Sequence, residues 1–279
     1  MHVGVRREQE IHPVAASSIA ELMRLTAADL AERLEGSGGP RVAVADVELL
    51  APVDGRMEVW AAGVTYRRSR EARVVESEFA ADVYERVYDA ARPELFFKAP
   101  AWRTRGHGAT IGVRDDSEIN VPEPELAVVV DSSGHILGYT ICNDVSSRSI
   151  EGDNPLYLPQ AKVYEGSCAL GPGIVLSDNV SDARDLEISM TIERDGADLW
   201  SGSAHTSELV RAPKDLVEFA TRALAFPDGL VLSTGTSLVP DLPFTLRSGD
   251  VVQVSIEGLG TLVNEVVTTS ELLSPELLS

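Results

Sequence analysis

Apolar positions change their spacing along this chain, and the change divides it into elements. Between residues 17 and 39 the stretch SSIAELMRLTAADLAERLEGSGG sets Ile19, Leu22, Leu25 and Leu30 at near-helical intervals. Ser18 and Thr26 stand where helix N-caps would, and the Gly36-Ser37-Gly38-Gly39 run stops the pattern. VAVADVELLAPV and then MEVWAAGVTY read as strand-like segments. SEFAADVYERVYDAARPE places Phe79, Val83 and Val87 on one side of a predicted amphipathic helix that Pro93 ends. Beyond it the period shortens and hairpin signals recur: Ser-Ser-Gly-His at 132–135, Asp195-Gly196, and Gly-Leu-Gly at 258–260. APKDLVEFATRALAF interrupts them as a helix with Pro213 in its first turn, and the tail TTSELLSPELLS reads as frayed or as a short docked helix. The order predicts a β-rich α+β fold rather than alternating βαβ units, with no internal repeat. Residues 1–57 are expected to form a small N-terminal α/β region and residues 58–279 the main domain.

One hairpin carries unusual chemistry. VPEPELAVVV sets Glu123 and Glu125 at the start of an apolar run, and residues i and i+2 of a strand share a face. With 132–135 as the loop and ILGYTICND as the return strand, Glu125 faces Cys142 and Glu123 faces Asp144. That face continues with the small Ala127, Gly138 and Thr140; Leu126, Val128, Val130, Leu137, Tyr139 and Ile141 fall on the other. A one-residue slip would move Asp144 away from the glutamates. Three carboxylates on one face repel unless a cation lies among them, and an all-oxygen set suits a hard ion, Mg²⁺, or else Mn²⁺ or Ca²⁺. The plainer alternative is a pair of solvated acids at an exposed strand start. Arg148, four residues after Asp144, and Lys162, in an apolar setting, favour the metal reading, because cations beside such a centre suit an anionic substrate.

The composition narrows the partners. A net charge of −20 argues against nucleic acid and anionic membranes, which need clustered Lys and Arg. The apolar runs are too short to cross a membrane. The N-terminus shows no signal-peptide pattern, so a cytoplasmic location is expected. Cys142 and Cys168 form no CxxC and sit among apolar residues, as buried packers do. GHGATIG at 106–112 has its third glycine one residue too late for a dinucleotide loop, and no histidine spacing suits zinc.

These motifs together, E-x-E before an apolar strand, GYT…ND-x₃-R after it, a downstream lysine, and STGT…LRSGDVVQVSIEGLGTLVNEV near the end, resemble the fumarylacetoacetate hydrolase family over roughly residues 58 to 267. The resemblance implies a mixed β-roll fold, a divalent metal on Glu123, Glu125 and Asp144, and a homodimer. It also implies substrate contacts at Arg148, Lys162 and Thr236.

The family runs several reactions on one fold, so the departures matter. Hydrolase members commonly carry N-Y-x-x-H; here Thr65 replaces the Asn and Ser69 stands at the His position, so the hydrolytic base is missing. Glu151 stands where a Gln is common. AAGVTYRRSREAR, RPELFFKAP and NPLYLPQAKVYEGSCALGP are similar to the branch that dehydrates 2-keto-3-deoxy sugar acids, and in PELFFK both Glu94 and Lys98 become pocket candidates.

The expected reaction is therefore dehydration of a small anionic 2-oxo acid, a 2-keto-3-deoxy pentonate, to 2,5-dioxopentanoate. In it Lys162 acts at C3, Glu94 serves the leaving hydroxyl, and Arg148, Lys98 and Thr236 bind substrate. Acylpyruvate-type C–C hydrolysis and oxaloacetate decarboxylation are the alternatives within the family; a non-catalytic metal-binding module is the alternative outside it.

Overall fold

A computed structural model describes residues 2–36, 38–66, 87–88 and 90–274. Most of the helix expected around Phe79 and Val83, and Ser69 with it, lies outside the described residues.

The N-terminal region folds as its caps predict. Strands β1 (Gly4–Arg7) and β2 (Glu10–Pro13) pair antiparallel, and β3 (Val42–Ala43) adds to β2. The helices Ile19–Leu22 and Ala27–Glu35 start where Ser18 Oγ and Thr26 Oγ1 accept from the backbone N–H groups of Glu21 and Asp29. Each such cap is worth about 1 kcal/mol. VAVADVELLAPV is not the strand its apolar content suggests. Only Val42–Ala43 pairs; a 3₁₀ turn follows at Val44–Asp46, and Leu50 is 49% exposed, so most of this run finds no sheet edge to join.

The main body contains two large sheets. Its strands are β4 (Glu58–Gly63), β5 (Glu94–Pro100), β6 (Ile111–Val113), β7 (Asn120–Val121), β8 (Pro124–Val130), β9 (Ile136–Asp144), β10 (Ser146–Ser147), β11 (Cys168–Leu176), β12 (Glu187–Arg194), β13 (Ala197–His205), β14 (Leu230–Ser233), β15 (Val251–Ile256) and β16 (Gly260–Thr268). One sheet runs β11-β9-β8-β14-β4-β5 and the other β13-β12-β15-β16-β6. The turns at Asp195-Gly196 and 258–260 fall where predicted. Asp195 and Gly196 both have positive φ, the conformation a two-residue hairpin loop needs. The helix Pro213–Thr221 has its proline in the first turn, and Thr269–Leu272 closes a capping box between Thr268 and Glu271.

Strand β8 is buried along its whole length, which explains a continuous apolar run in place of alternation. Leu126 and Ile141 pack against Ile188, Met190, Val252 and Val254 of the second sheet. Val128 and Val130 pack against Leu216 and Val217 of the helix Pro213–Thr221. The opposite face, Ala127, Val129 and Cys142, is covered by Leu22, Met23 and Leu30 of the N-terminal region. Both cysteines are buried and free.

The β8–β9 register pairs Glu125 with Cys142 and Ala127 with Thr140, as expected. Near the turn it slips: Val129 faces Gly138, but Val130 faces Ile136. The extra residue, Leu137, turns onto the Ala127 and Val129 face instead of the expected Leu126 and Val128 face. The slip lies beyond the acids, so their alignment is untouched.

Candidate metal centre and active site

Period-two geometry puts Glu123 and Glu125 on one face, and the backbone N–H of Asp144 donates to the Glu123 carbonyl at 3.0 Å. One oxygen from each of Glu123, Glu125 and Asp144 lies within 4.8 Å of the others, and all three residues are at most 3% exposed. Solvated strand-start acids they are not.

Each acid has its own support. Glu125 Oε2 accepts from Ser233 Oγ at 2.5 Å and from the Gly235 N–H at 2.7 Å. Burial, with the charges of Asp144, Cys142 and Glu123 beside it, still pushes its carboxyl well above the usual range. Glu123 accepts from Arg148 Nη2 at 2.6 Å and from Lys162 Nζ at 2.8 Å. Asp144 takes Lys162 Nζ at 3.2 Å on one oxygen and pairs with Lys98 through the other.

The cations arrive on elements that local sequence sets up. Ser146 pairs with Val121 across β10 and β7, and the Arg148 N–H donates to the Ile119 carbonyl, so the helix Arg148–Asp153 starts beside Glu123. Lys162 ends the helix Leu158–Lys162; its ammonium also donates to Ser146 Oγ at 2.5 Å and lies 5.6 Å from the centre of the Phe96 ring. Glu151, 3% exposed, sits 3.8 Å from Arg148 Nε.

The donor set fits a hard divalent cation. It is all oxygen, buried and convergent, and Asp144 Oδ1 has no hydrogen-bond donor among the described residues beyond its ion pair with Lys98. Glu123, Glu125 and Asp144 would hold the ion, with Arg148 and Lys162 beside it.

The remaining expected site residues are Lys98, Thr236 and Glu94. Lys98 is fully buried, and its ammonium meets Asp144, the Val145 carbonyl at 3.0 Å and the Lys162 carbonyl at 2.6 Å. All three N–H groups are thus directed at protein oxygens. The cause is a β-bulge: Val59 faces Ala99 and Trp60 faces Phe97, which leaves Lys98 as the extra residue and re-aims it. Thr236 Oγ1 accepts from the Leu238 N–H at 3.1 Å, within its own loop. Glu94 opens β5 opposite Gly63, partly exposed, two residues outward from Phe96.

Sequence reasoning missed Ser146, Ser233, Gly235 and Gly63. Ser233 and Gly235 had one signal, their place inside STGT, and Ser146 lies within ND-x₃-R.

A buried three-carboxylate cluster at the ends of two adjacent strands, β8 and β9, in a fold of two packed sheets defines a metal-centred β-roll class. The fumarylacetoacetate (FAA) hydrolase C-terminal model matches residues 58–267, and the chain belongs to the fumarylacetoacetate hydrolase family. It is 54% identical over 226 residues to a protein of Haloferax volcanii named a probable 2-keto-3-deoxyxylonate dehydratase, with 81% of this chain and 77% of that one covered. It is 46% identical over 225 residues to the 2-dehydro-3-deoxy-D-arabinonate dehydratase of Saccharolobus solfataricus, covering 79% and 75%. A solved 2-keto-3-deoxy-D-arabinonate dehydratase, complexed with magnesium and 2,5-dioxopentanoate, superposes with a TM-score of 0.81 at 38% identity, over 96% of this chain and 94% of the other. Among the described residues no helix is long and apolar enough to cross a membrane.

Proposed function

We propose that this chain is a divalent-metal-dependent dehydratase that converts a 2-keto-3-deoxy pentonate to 2,5-dioxopentanoate and water. One observation carries the reading: Arg148 and Lys162 converge at 2.6 and 2.8 Å on Glu123, an acid of the buried cluster that fits a dication. Cations and metal ligands so placed can grip the two ends of a 2-oxo carboxylate. Similarity to named dehydratases supports the choice of reaction.

When bound, the dication supplies electrophilic stabilisation of charge on the 2-oxo oxygen, worth several kcal/mol. The chain's residues do the rest. Arg148 pairs with the substrate carboxylate, helped by Thr236. Lys162, acting as the neutral amine, removes a proton from C3, while Glu94 gives one to the C4 hydroxyl, which leaves as water. Loss of a C5 proton with reprotonation at C3 gives an enol, whose hydroxyl proton is lost as C4 is protonated to give the aldehyde. Lys98 is assigned to hold Asp144 and the Lys162 backbone. The proposal includes a cytoplasmic homodimer in which residues 1–57 pack onto a catalytic domain of residues 58–279.

Incubation with Mg²⁺ and a panel of 2-keto-3-deoxy acids, followed by product identification, tests it. A 2,5-dioxo acid supports the reading; pyruvate release or decarboxylation overturns it. Lys162→Ala should abolish turnover with metal affinity largely kept, and Glu123→Gln should weaken metal binding.

A further inference from the structure

One peptide group joins Glu125 to Thr65. Glu125 Oε2 accepts from the Gly235 N–H at 2.7 Å, and the carbonyl of that same peptide, on Thr234, accepts from Thr65 Oγ1 at 2.5 Å. A trans peptide is planar, and its N–H and C=O point in opposite directions. Holding the carbonyl therefore fixes where the N–H aims.

Gly235 makes this peptide easy to turn. Its φ is +91°, and glycine occupies both halves of backbone space at little steric cost. A flip would present the Thr234 carbonyl oxygen to the Glu125 carboxylate, acceptor against acceptor. The N–H and Oγ1 of Thr234 both donate to the Leu126 carbonyl, at 3.0 and 2.8 Å. Those bonds hold the loop on the near side of the 234–235 peptide and leave its rotation free.

Thr65 is itself anchored. It is fully buried, its carbonyl accepts the Val210 N–H at 3.0 Å, and Tyr66 bridges Leu209. Before it, where the chain leaves β4, Val64 holds φ +53°, in the left-handed region that a β-branched residue rarely enters. Such a conformation persists where its surroundings over-determine it, and it clusters at working sites.

We infer that Thr65 is a positioning residue for the metal centre: its hydroxyl locks the Thr234–Gly235 peptide in the orientation that gives Glu125 a backbone donor. The lock belongs to the chain alone, and its effect on metal binding rests on the proposed role of Glu125 as a ligand. It gives Thr65 a task of its own at a position where hydrolase members of the family commonly carry Asn.

Amide hydrogen exchange of the metal-free full chain, read residue by residue by NMR, tests the lock, and calorimetric Mg²⁺ titration tests its effect. In the wild type the Gly235 N–H should be protected like the amides of β8; exchange at the rate of an exposed loop overturns the inference, and no variant has to fold for that result. Thr65→Val keeps the shape and removes the donor. It should speed Gly235 exchange relative to the β8 amides, and weaken Mg²⁺ binding, by roughly tenfold each, the size of one lost hydrogen bond. Thr65→Ser keeps the hydroxyl and should stay near wild type in both. A packing role for Thr65 predicts the reverse order, since Val keeps the methyl that Ser loses, so a Thr65→Ser chain more impaired than Thr65→Val overturns the inference. So does wild-type Gly235 exchange in Thr65→Val. A wild type that binds no Mg²⁺ brings down the functional reading and the metal effect with it; normal Mg²⁺ binding with unchanged exchange sinks this inference alone.

Discussion

Lys98 and Asp144 form a fully buried ion pair at the back of the carboxylate cluster, and the same ammonium holds the Lys162 carbonyl at 2.6 Å. One side chain therefore fixes a proposed metal ligand and the backbone of the residue facing it. Removing one partner of a buried pair typically costs about 3–5 kcal/mol, because the other charge is left uncompensated. Lys98→Met should lower stability by that order in urea denaturation and should weaken Mg²⁺ binding at least several-fold. Stability and metal affinity both at wild-type level would show that Lys98 supports neither.

Glu94 lies folded over Gly63. A methyl group placed on Gly63 would sit 2.0 Å from Glu94 Oε2 and 2.7 Å from its Cδ, so Gly63→Ala must displace the carboxylate. If Glu94 serves the leaving hydroxyl, kcat should fall by roughly 10-fold or more, within the range of general acid catalysis, with Mg²⁺ affinity unchanged. Gly63→Ala combined with Glu94→Gln should then be no slower than Glu94→Gln alone, since both changes remove one function. Additive losses would break the link between the two residues.

Gly235 gives its N–H to Glu125 from a backbone at φ +91°, and an added methyl would lie 2.1 Å from Thr65 Oγ1. Gly235→Ala should therefore be strained and should loosen Glu125. Ser233 is the second donor, and its hydrogen bond pulls the Glu125 carboxyl down against a larger upward push from burial. Protons compete with a cation for a carboxyl raised in this way. Mg²⁺ affinity should rise with pH above the usual carboxylate range, and Ser233→Ala should shift that rise to higher pH. Magnesium titrations at several pH values measure the shift; superimposable curves for variant and wild type would refute it.

The acid cluster was legible because its cause is local and periodic. Glu123 and Glu125 share a face by strand geometry, and Asp144 joins them through one hairpin whose register the small residues report. The caps at Ser18 and Thr26 were legible for the same reason. What escaped depends on irregularity or on distance along the chain. Two bulges, at Leu137 and at Lys98, each place two residues against one, and no pattern of apolar positions shows where that happens. Gly63 meets Glu94, and Ser233 meets Glu125, only because β4, β5, β8 and β14 become neighbours in one sheet. VAVADVELLAPV misled because apolar content argues for burial, while a strand also needs an edge to pair with.

Asp228 tests how the N-terminal region is held. Its buried carboxylate accepts from Arg24 Nη2 at 2.7 Å and from the Arg56 backbone N–H and Nη2 at 3.0 Å, which ties residues 24 and 56 to the turn after the helix Pro213–Thr221. The Arg56 side-chain bond, then its N–H and Arg24, hold the Asp228 carboxyl well below the usual range. A carboxyl lowered in the folded state contributes stability above its unfolded pKa, about 3.9, and that contribution is lost as pH falls below it. Wild-type stability should therefore drop on acidification from about pH 5 downward, and Asp228→Asn should be less stable at pH 7 by on the order of 1–2 kcal/mol. The difference between the two proteins should shrink as the wild-type carboxylate becomes protonated. Denaturation curves at pH 7 and near pH 3 decide it: a difference that stays constant across that range would mean that the ionised carboxylate contributes nothing to the attachment.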